Sequence, residues 1–245
     1  LITLDDKVSS ANEYRMKHID TIAFDADDTL WVNQTYFDET EYRFRELLEK
    51  HLPYEQISEE LLRIEIDNMP IYGFGVKAFT LSMVEAALKI SDYKIKPEVI
   101  QQILDLGKEI LLKPIELLDG VDEVMKMLSG RYRLVVVTKG DLLDQERKLS
   151  ASGLEHYFHH IEIMSDKQRK DYRKLFKNLD CKPENFLMIG NSLKSDIVPV
   201  LELDGYAAYV PFHSTWAHEK LEDKVIHPNL VRIDKITEIL PYLIR

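Results

Sequence analysis

Residues 24–31 read Phe24-Asp25-Ala26-Asp27-Asp28-Thr29-Leu30-Trp31, FDADDTLW, and set three carboxylates within four positions directly after the apolar run Thr21-Ile22-Ala23-Phe24. Like charges so close repel one another, and each prefers water to the protein interior. Their collection where a strand leaves the core implies a positive partner at that point. An isolated D-x-D is more often a solvated turn, because Asp and Thr are good turn and cap residues. The choice between the two readings rests on what the rest of the chain brings to the same edge.

Outward from this stretch, short apolar runs at 21–24, 134–138, 161–164, 186–189, 207–210 and 230–233 have the length and composition of buried strands. All but the first are separated by segments of helical potential, the pattern of crossover units feeding a mostly parallel sheet. The fold class is α/β. Val121, Val124, Met125 and Leu128 recur at helical spacing before the second strand, with Gly130 as a helix stop. Residues 36–113 break the rhythm. They hold no strand pattern but four amphipathic ones, around Phe44-Leu47-Leu48, Leu61-Ile64, Met83-Ala86-Ala87-Ile90 and Val99-Ile103-Leu106-Ile110, the last with Pro97 in its first turn. The spacing predicts an all-helical cap at 36–113 inserted into a Rossmann-like core formed by 1–35 and 114–245, with hinges near 32–35 and 113–118.

Ligands of open α/β sheets bind outside the carboxyl ends of the strands. Asp25, Asp27 and Asp28 belong at that edge. So do Val137-Thr138-Lys139-Gly140-Asp141 after the second strand, with a hydroxyl and a small-residue turn of N–H groups suited to an anion. Ser165-Asp166-Lys167 follows the third strand, and Gly190-Asn191-Ser192-Leu193-Lys194-Ser195-Asp196 the fourth. Four successive strand ends carry polar chemistry.

This order of D-x-D-x-T, Thr, Lys and G-N-S-x-x-x-D resembles the haloacid dehalogenase superfamily, in its aspartate-nucleophile phosphatase branch, over nearly the whole chain. That family also inserts a helical cap between its first two motifs. The resemblance implies a Mg²⁺-dependent phosphatase acting on a small soluble phosphomonoester. Asp25 would be the nucleophile that carries an aspartyl-phosphate, and Asp27 the acid and base. Thr138, Lys139 and Lys167 would contact the substrate, Thr138 and Lys167 neutralising developing charge. Asp25, Asp27 through its main-chain carbonyl, Asn191 and Asp196 would form the metal shell. Lys170 is the other occupant open for the lysine position, and Asp28 is assigned to solvent or turn structure. Asn191 departs from the family's commoner aspartate, so the shell holds one negative charge fewer and weaker Mg²⁺ binding is expected. Other readings are a phosphomutase using the same aspartates and a binding protein that kept the fold; a dehalogenase has no use for Asp27.

Composition bounds the rest. The 245 residues are 45% hydrophobic, and 32 basic against 43 acidic side chains give a net charge of −11, which disfavours nucleic acid and anionic membranes as partners. Cys181 is the one cysteine, so no internal disulfide or cysteine-rich zinc site is available. The apolar runs are strand-sized, and the start LITLDDKVSS lacks a signal peptide's basic and apolar regions. A soluble cytoplasmic protein is expected, with the missing initiator Met marking a trimmed or internal start. No feature fixes the oligomeric state. Three further stretches invite a reading. The segment Ile71-Tyr72-Gly73-Phe74-Gly75-Val76-Lys77 either lines the substrate pocket or is a turn whose aromatics pack into the cap core. Trp31 faces the substrate or supports the hinge. His213 to Glu219 lacks the spacing of a histidine metal site, and His159-His160 reads as polarity at a strand start.

Overall fold

The computed structural model describes residues 16–221 and 225–244. Its six strands are β1 (Thr21–Phe24), β2 (Arg133–Lys139), β3 (His160–Met164), β4 (Phe186–Gly190), β5 (Tyr206–Tyr209) and β6 (Leu230–Arg232). They form one sheet in the order β3-β2-β1-β4-β5-β6. Strand β1 pairs in parallel with β2 and β4, β4 with β5, and β5 with β6. The first strand in sequence is therefore central, and chain growth reverses direction between β1 and β4. Such a reversal is the switch point at which open α/β sheets take their ligands.

Burial explains why these runs are strands. Thr21–Phe24 is buried throughout, as is Phe186–Gly190, the signature of strands covered on both faces. Ala23, Val135, Val137, Phe186 and Met188 point to one side and pack with Tyr172, Leu175, Phe176 and Leu179 of the helix Arg169–Leu179. The alternate set, Ile22, Phe24, Leu134, Val136, Leu187 and Ile189, is also buried. The helix Val121–Leu128 buries the four expected apolar residues and stops before Gly130, which takes φ 73°.

The chain divides into two compact units: residues 1–32, 116–138 and 149–245, and residues 33–115 with 139–148. The second contains the helices α1 (Gln34–Leu48), α2 (Tyr54–Tyr72), α3 (Val76–Ile90) and α4 (Pro97–Leu112). Their apolar stripes meet in a core of Phe44, Leu48, Ile57, Leu61, Ile64, Phe79, Met83, Ile103 and Leu106 with smaller neighbours. Pro97 stands in the first turn of α4. Gly107 lets α4 approach α3 closely, since a Cβ there would lie 2.1 Å from Thr80 Oγ1. Residues 139–148 join this unit through three contacts. Lys77 Nζ reaches Asp141 Oδ1 at 3.0 Å, the Lys139 ammonium stands 4.2 Å over the Phe74 ring, and Lys148 Nζ donates to Asn33 Oδ1 at 2.8 Å.

The aromatics of the 71–77 segment do not fill the helical core: Tyr72 and Ile71 are exposed and Phe74 is half-buried. Gly73 and Gly75, at φ 72° and 106°, terminate α2 and open α3. Among the described residues no helix is long and apolar enough to cross a membrane.

Candidate active site

Strand β1 ends in the core, and the Asp25 N–H still donates to Ile189 O of β4 at 2.9 Å, so the first carboxylate of FDADDTLW leaves the sheet while its backbone is held by the ladder. The chain then turns tightly. Ala26 O accepts from Leu30 N at 2.8 Å, and Asp28 N donates to Trp31 O at 2.7 Å. Asp28 takes φ 61° at the bend, a conformation Asp tolerates better than most residues. It is a turn residue, as expected, but it is buried and not in solvent. In the same turn Trp31 Nε1 donates to Asp27 Oδ1 at 2.8 Å. Trp31 is itself buried, so the ring works as a fixed support for Asp27.

Asp25 stands with Thr29 of its own motif and with residues from two other strand ends. Lys167, which is buried, donates from Nζ to Asp25 Oδ1 and, at 2.7 Å, to Asp196 Oδ1. Lys170 is exposed on the helix that follows. Thr29 Oγ1 lies 3.3 Å from Asp25 Oδ2 and 3.3 Å from Asn191 Oδ1, and so bridges the first and fourth strand ends. Asp196 follows β4 through a tight turn in which Ser192 N donates to Asp196 Oδ2 at 3.0 Å. Gly190 makes this possible: a Cβ there would stand 2.3 Å from Asp196 Oδ2. Tyr172 OH donates to Ser195 O at 3.1 Å and anchors the same turn from below.

Two buried carboxylates share one ammonium, leaving an excess negative charge. Burial pushes the Asp25 carboxyl up from 3.8 to about 7, with Asp196 and Asp27 adding repulsion and Lys167 opposing. Burial alone would depress the Lys167 ammonium, but Asp196 and Asp25 outweigh it and hold it above its ordinary value. Without a further cation, then, Asp25 is near its midpoint at neutral pH. The oxygens of Asp25, Asp196 and Asn191 and the main-chain carbonyl of Asp27 are the hard donors that Mg²⁺ takes. An ion of that kind needs only one or two carboxylates, because it keeps several waters. Among the described residues no group of three or more His, Cys, Asp or Glu side chains is arranged to hold a metal ion by itself.

Thr138 is buried two positions beyond Val136, the β2 partner of Phe24. Lys139 differs from the others, since its ammonium stands over Phe74 in the helical unit. Thr29, Trp31, Ser192 and Ser195 bear on the site without having been singled out for these contacts. Thr29 had a signal in its i+4 spacing from Asp25 within the motif. Glu219 had none in its neighbourhood: its Oε2 accepts from Ser192 Oγ at 2.5 Å and from Ser195 Oγ at 2.6 Å. The preceding His218 accepts Lys194 Nζ on its carbonyl at 2.8 Å. His160 opens β3 and pairs with Glu162.

A sequence model described as haloacid dehalogenase-like hydrolase matches residues 19–199. A haloacid dehalogenase-like family hydrolase from Xanthomonas campestris shares the fold at a TM-score of 0.81 with 35% identity, over 91% of this chain and 89% of that one. The magnesium-bound HAD-hydrolase YfnB of Bacillus subtilis, at 20% identity and a TM-score of 0.61, covers 91% of this chain and 98% of its own. Its likeness is one of fold. A glyceraldehyde 3-phosphate phosphatase from Methanopyrus kandleri is 26% identical over 185 residues, 73% of this chain and 78% of that protein. The protein of that name from Methanothermobacter thermautotrophicus is 28% identical over 96 residues, 37% of this chain and 42% of its own length. With the matched model spanning most of the sheet and every strand end described above, the chain belongs to the haloacid dehalogenase-like hydrolases.

Proposed function

We propose that the protein is a Mg²⁺-dependent phosphatase that hydrolyses a small soluble phosphomonoester through a phosphoryl group carried on Asp25. The observation that carries this reading is the Lys167 ammonium held between Asp25 and Asp196, with Asn191 joined to Asp25 through Thr29. A phosphoryl group is attacked poorly in water because its oxygens repel nucleophiles, so catalysis requires neutralised charge and a positioned attacker. Lys167 supplies one positive charge beside the nucleophile. Mg²⁺, bound by Asp25, Asp196, Asn191 and the Asp27 carbonyl, would supply charge neutralisation on the phosphoryl oxygens and favour the ionised form of Asp25.

In the first step an Asp25 carboxylate oxygen bonds to phosphorus as the ester P–O bond breaks. Asp27 gives its proton to the departing alkoxide. In the second, Asp27 takes a proton from water, the resulting hydroxide bonds to phosphorus, and the acyl-phosphate bond breaks to return the Asp25 carboxylate and inorganic phosphate. Trp31 Nε1 holds Asp27 for both transfers. Thr138 would hold a phosphoryl oxygen, and Lys139 would be a further substrate contact. Residues 36–113 would act as the substrate-selecting cap on a core of 1–35 and 114–245.

The two archaeal relatives are named for glyceraldehyde 3-phosphate, so three-carbon and other small sugar phosphates are the first substrates to try. Phosphate release from such a panel with Mg²⁺, and its loss with chelator, tests the reading. Substantial turnover in Asp25→Asn overturns it.

A further inference from the structure

We infer that Glu219 is a positioning residue for the metal-binding turn, offsetting through two serine hydroxyls the negative charge that Asn191 does not supply. The inference rests on the metal assignment just proposed. Its basis is a continuous set of contacts from Glu219 to Lys167. Ser192 Oγ and Ser195 Oγ both donate to the same oxygen, Glu219 Oε2, at 2.5 and 2.6 Å. Ser192 Oγ in turn accepts from Ser195 N at 3.0 Å, capping the turn Leu193–Ile197. Ser192 N donates to Asp196 Oδ2 at 3.0 Å, and Asp196 Oδ1 accepts from Lys167 at 2.7 Å.

An ordinary surface carboxylate does not explain this arrangement. Ser192 and Ser195 are 8% and 5% exposed, and two buried hydroxyls that donate to one oxygen are bound more strongly when that oxygen belongs to a carboxylate. The segment bearing Glu219 is fastened to the turn a second time. Lys194 Nζ donates to His218 O at 2.8 Å and lies 3.0 Å from His218 Nε2. Asn191, one residue before Ser192, is the neutral member of the proposed shell. A full negative charge one hydroxyl away from the turn that presents Asn191 and Asp196 raises the field at a cation without itself ligating it. Residues behind metal ligands commonly alter affinity about 10–100-fold.

Calorimetric titration of the metal-free protein with MgCl₂ tests this, with circular dichroism to establish folding. Glu219→Ala is expected to weaken Mg²⁺ binding about 10-fold. Glu219→Gln, which keeps an acceptor oxygen but no charge, is expected to weaken it about 3-fold, at the low end of what a single hydrogen bond contributes. Adding Asn191→Asp to Glu219→Gln is expected to recover the wild-type affinity. If Glu219→Ala does not fold, the Gln variant and its rescue decide. A folded Glu219→Gln that binds Mg²⁺ as tightly as wild type overturns the inference, and so does a weakened one that Asn191→Asp leaves unimproved. Failure of the wild-type protein itself to bind Mg²⁺ overturns the proposed function instead.

Discussion

Replacing Asp25 with Asn should make the metal-free protein more stable in alkaline buffer, although it removes the proposed nucleophile. The Asp25 carboxyl ionises at about 7 in the folded chain, against an ordinary 3.8, chiefly because it is buried. Below the unfolded value the carboxyl is neutral in both states, and its contribution to stability is fully present. As pH rises from there, the unfolded chain releases its proton first, and stability falls by about 1.4 kcal/mol per pH unit until the folded carboxyl ionises near 7. Between pH 5.5 and 8 the loss is therefore about 2 kcal/mol. Asn has nearly the same shape, keeps an oxygen for Lys167 and does not titrate. The stability of Asp25→Asn relative to wild type should accordingly grow by about 2 kcal/mol from pH 5.5 to pH 8, equivalent to about 4–8 °C in melting temperature. Urea unfolding in chelator at the two pH values, followed by tryptophan fluorescence, reads this directly. Both tryptophans, Trp31 and Trp216, lie in the sheet-bearing unit. A difference that stays constant or shrinks with pH would refute the placing of a strained, buried carboxylate at Asp25.

The remaining expectations concern other parts of the structure. Gly190→Ala puts a methyl 2.3 Å from Asp196 Oδ2, so Asp196 must move; a loss of about 1–3 kcal/mol and disappearance of any Mg²⁺-induced shift in melting temperature are expected by differential scanning fluorimetry. Trp31→Phe keeps an aromatic ring at this buried position, though a smaller one, and removes the bond to Asp27 Oδ1; turnover should fall roughly 10-fold, the equivalent of one hydrogen bond, with little change in KM in steady-state kinetics. Phe44→Ala opens the core of the helical unit and should cost about 3–5 kcal/mol, seen as faster proteolysis within residues 33–115 while the sheet unit stays resistant.

Much of this was legible in the sequence because it is written locally. The run Thr21-Ile22-Ala23-Phe24 is a strand with those very ends, since four buried residues followed by three carboxylates leave little choice of boundary. The four helical patterns of the cap segment each became a helix, because an apolar stripe at 3.6-residue spacing has few other ways to be buried. Strand ends drifted by a residue where the chain leaves the core gradually: β2 begins at Arg133 and runs to Lys139, and β5 is Tyr206–Tyr209. What stayed hidden depends on distant segments meeting. Asp28 reads as a solvent or turn residue, and its burial shows only once the turn folds its backbone under Trp31. Glu219 stands in a stretch with two histidines whose spacing does not make a metal site. Only the fold discloses that its partners are two serines 27 and 24 positions earlier in the chain.

The central position of β1 also bears on how the protein is made. The strand emerges first from the ribosome, yet its neighbours on either side, β2 and β4, begin at residues 133 and 186. At synthesis rates of about 5–20 residues per second, the nascent chain spends on the order of 5–20 s with an apolar segment that has no native partner. During that interval the four helices of the insertion, whose contacts are local, have all emerged and can begin to form. The three aspartates and the bulky Trp31 that follow Phe24 thus sit where an unpaired strand would otherwise recruit another chain, and charge there discourages such pairing. The acidic cluster thus bears on two stages: it puts charge beside a strand that is still unpaired, and in the folded protein it supplies the carboxylate that Lys167 holds.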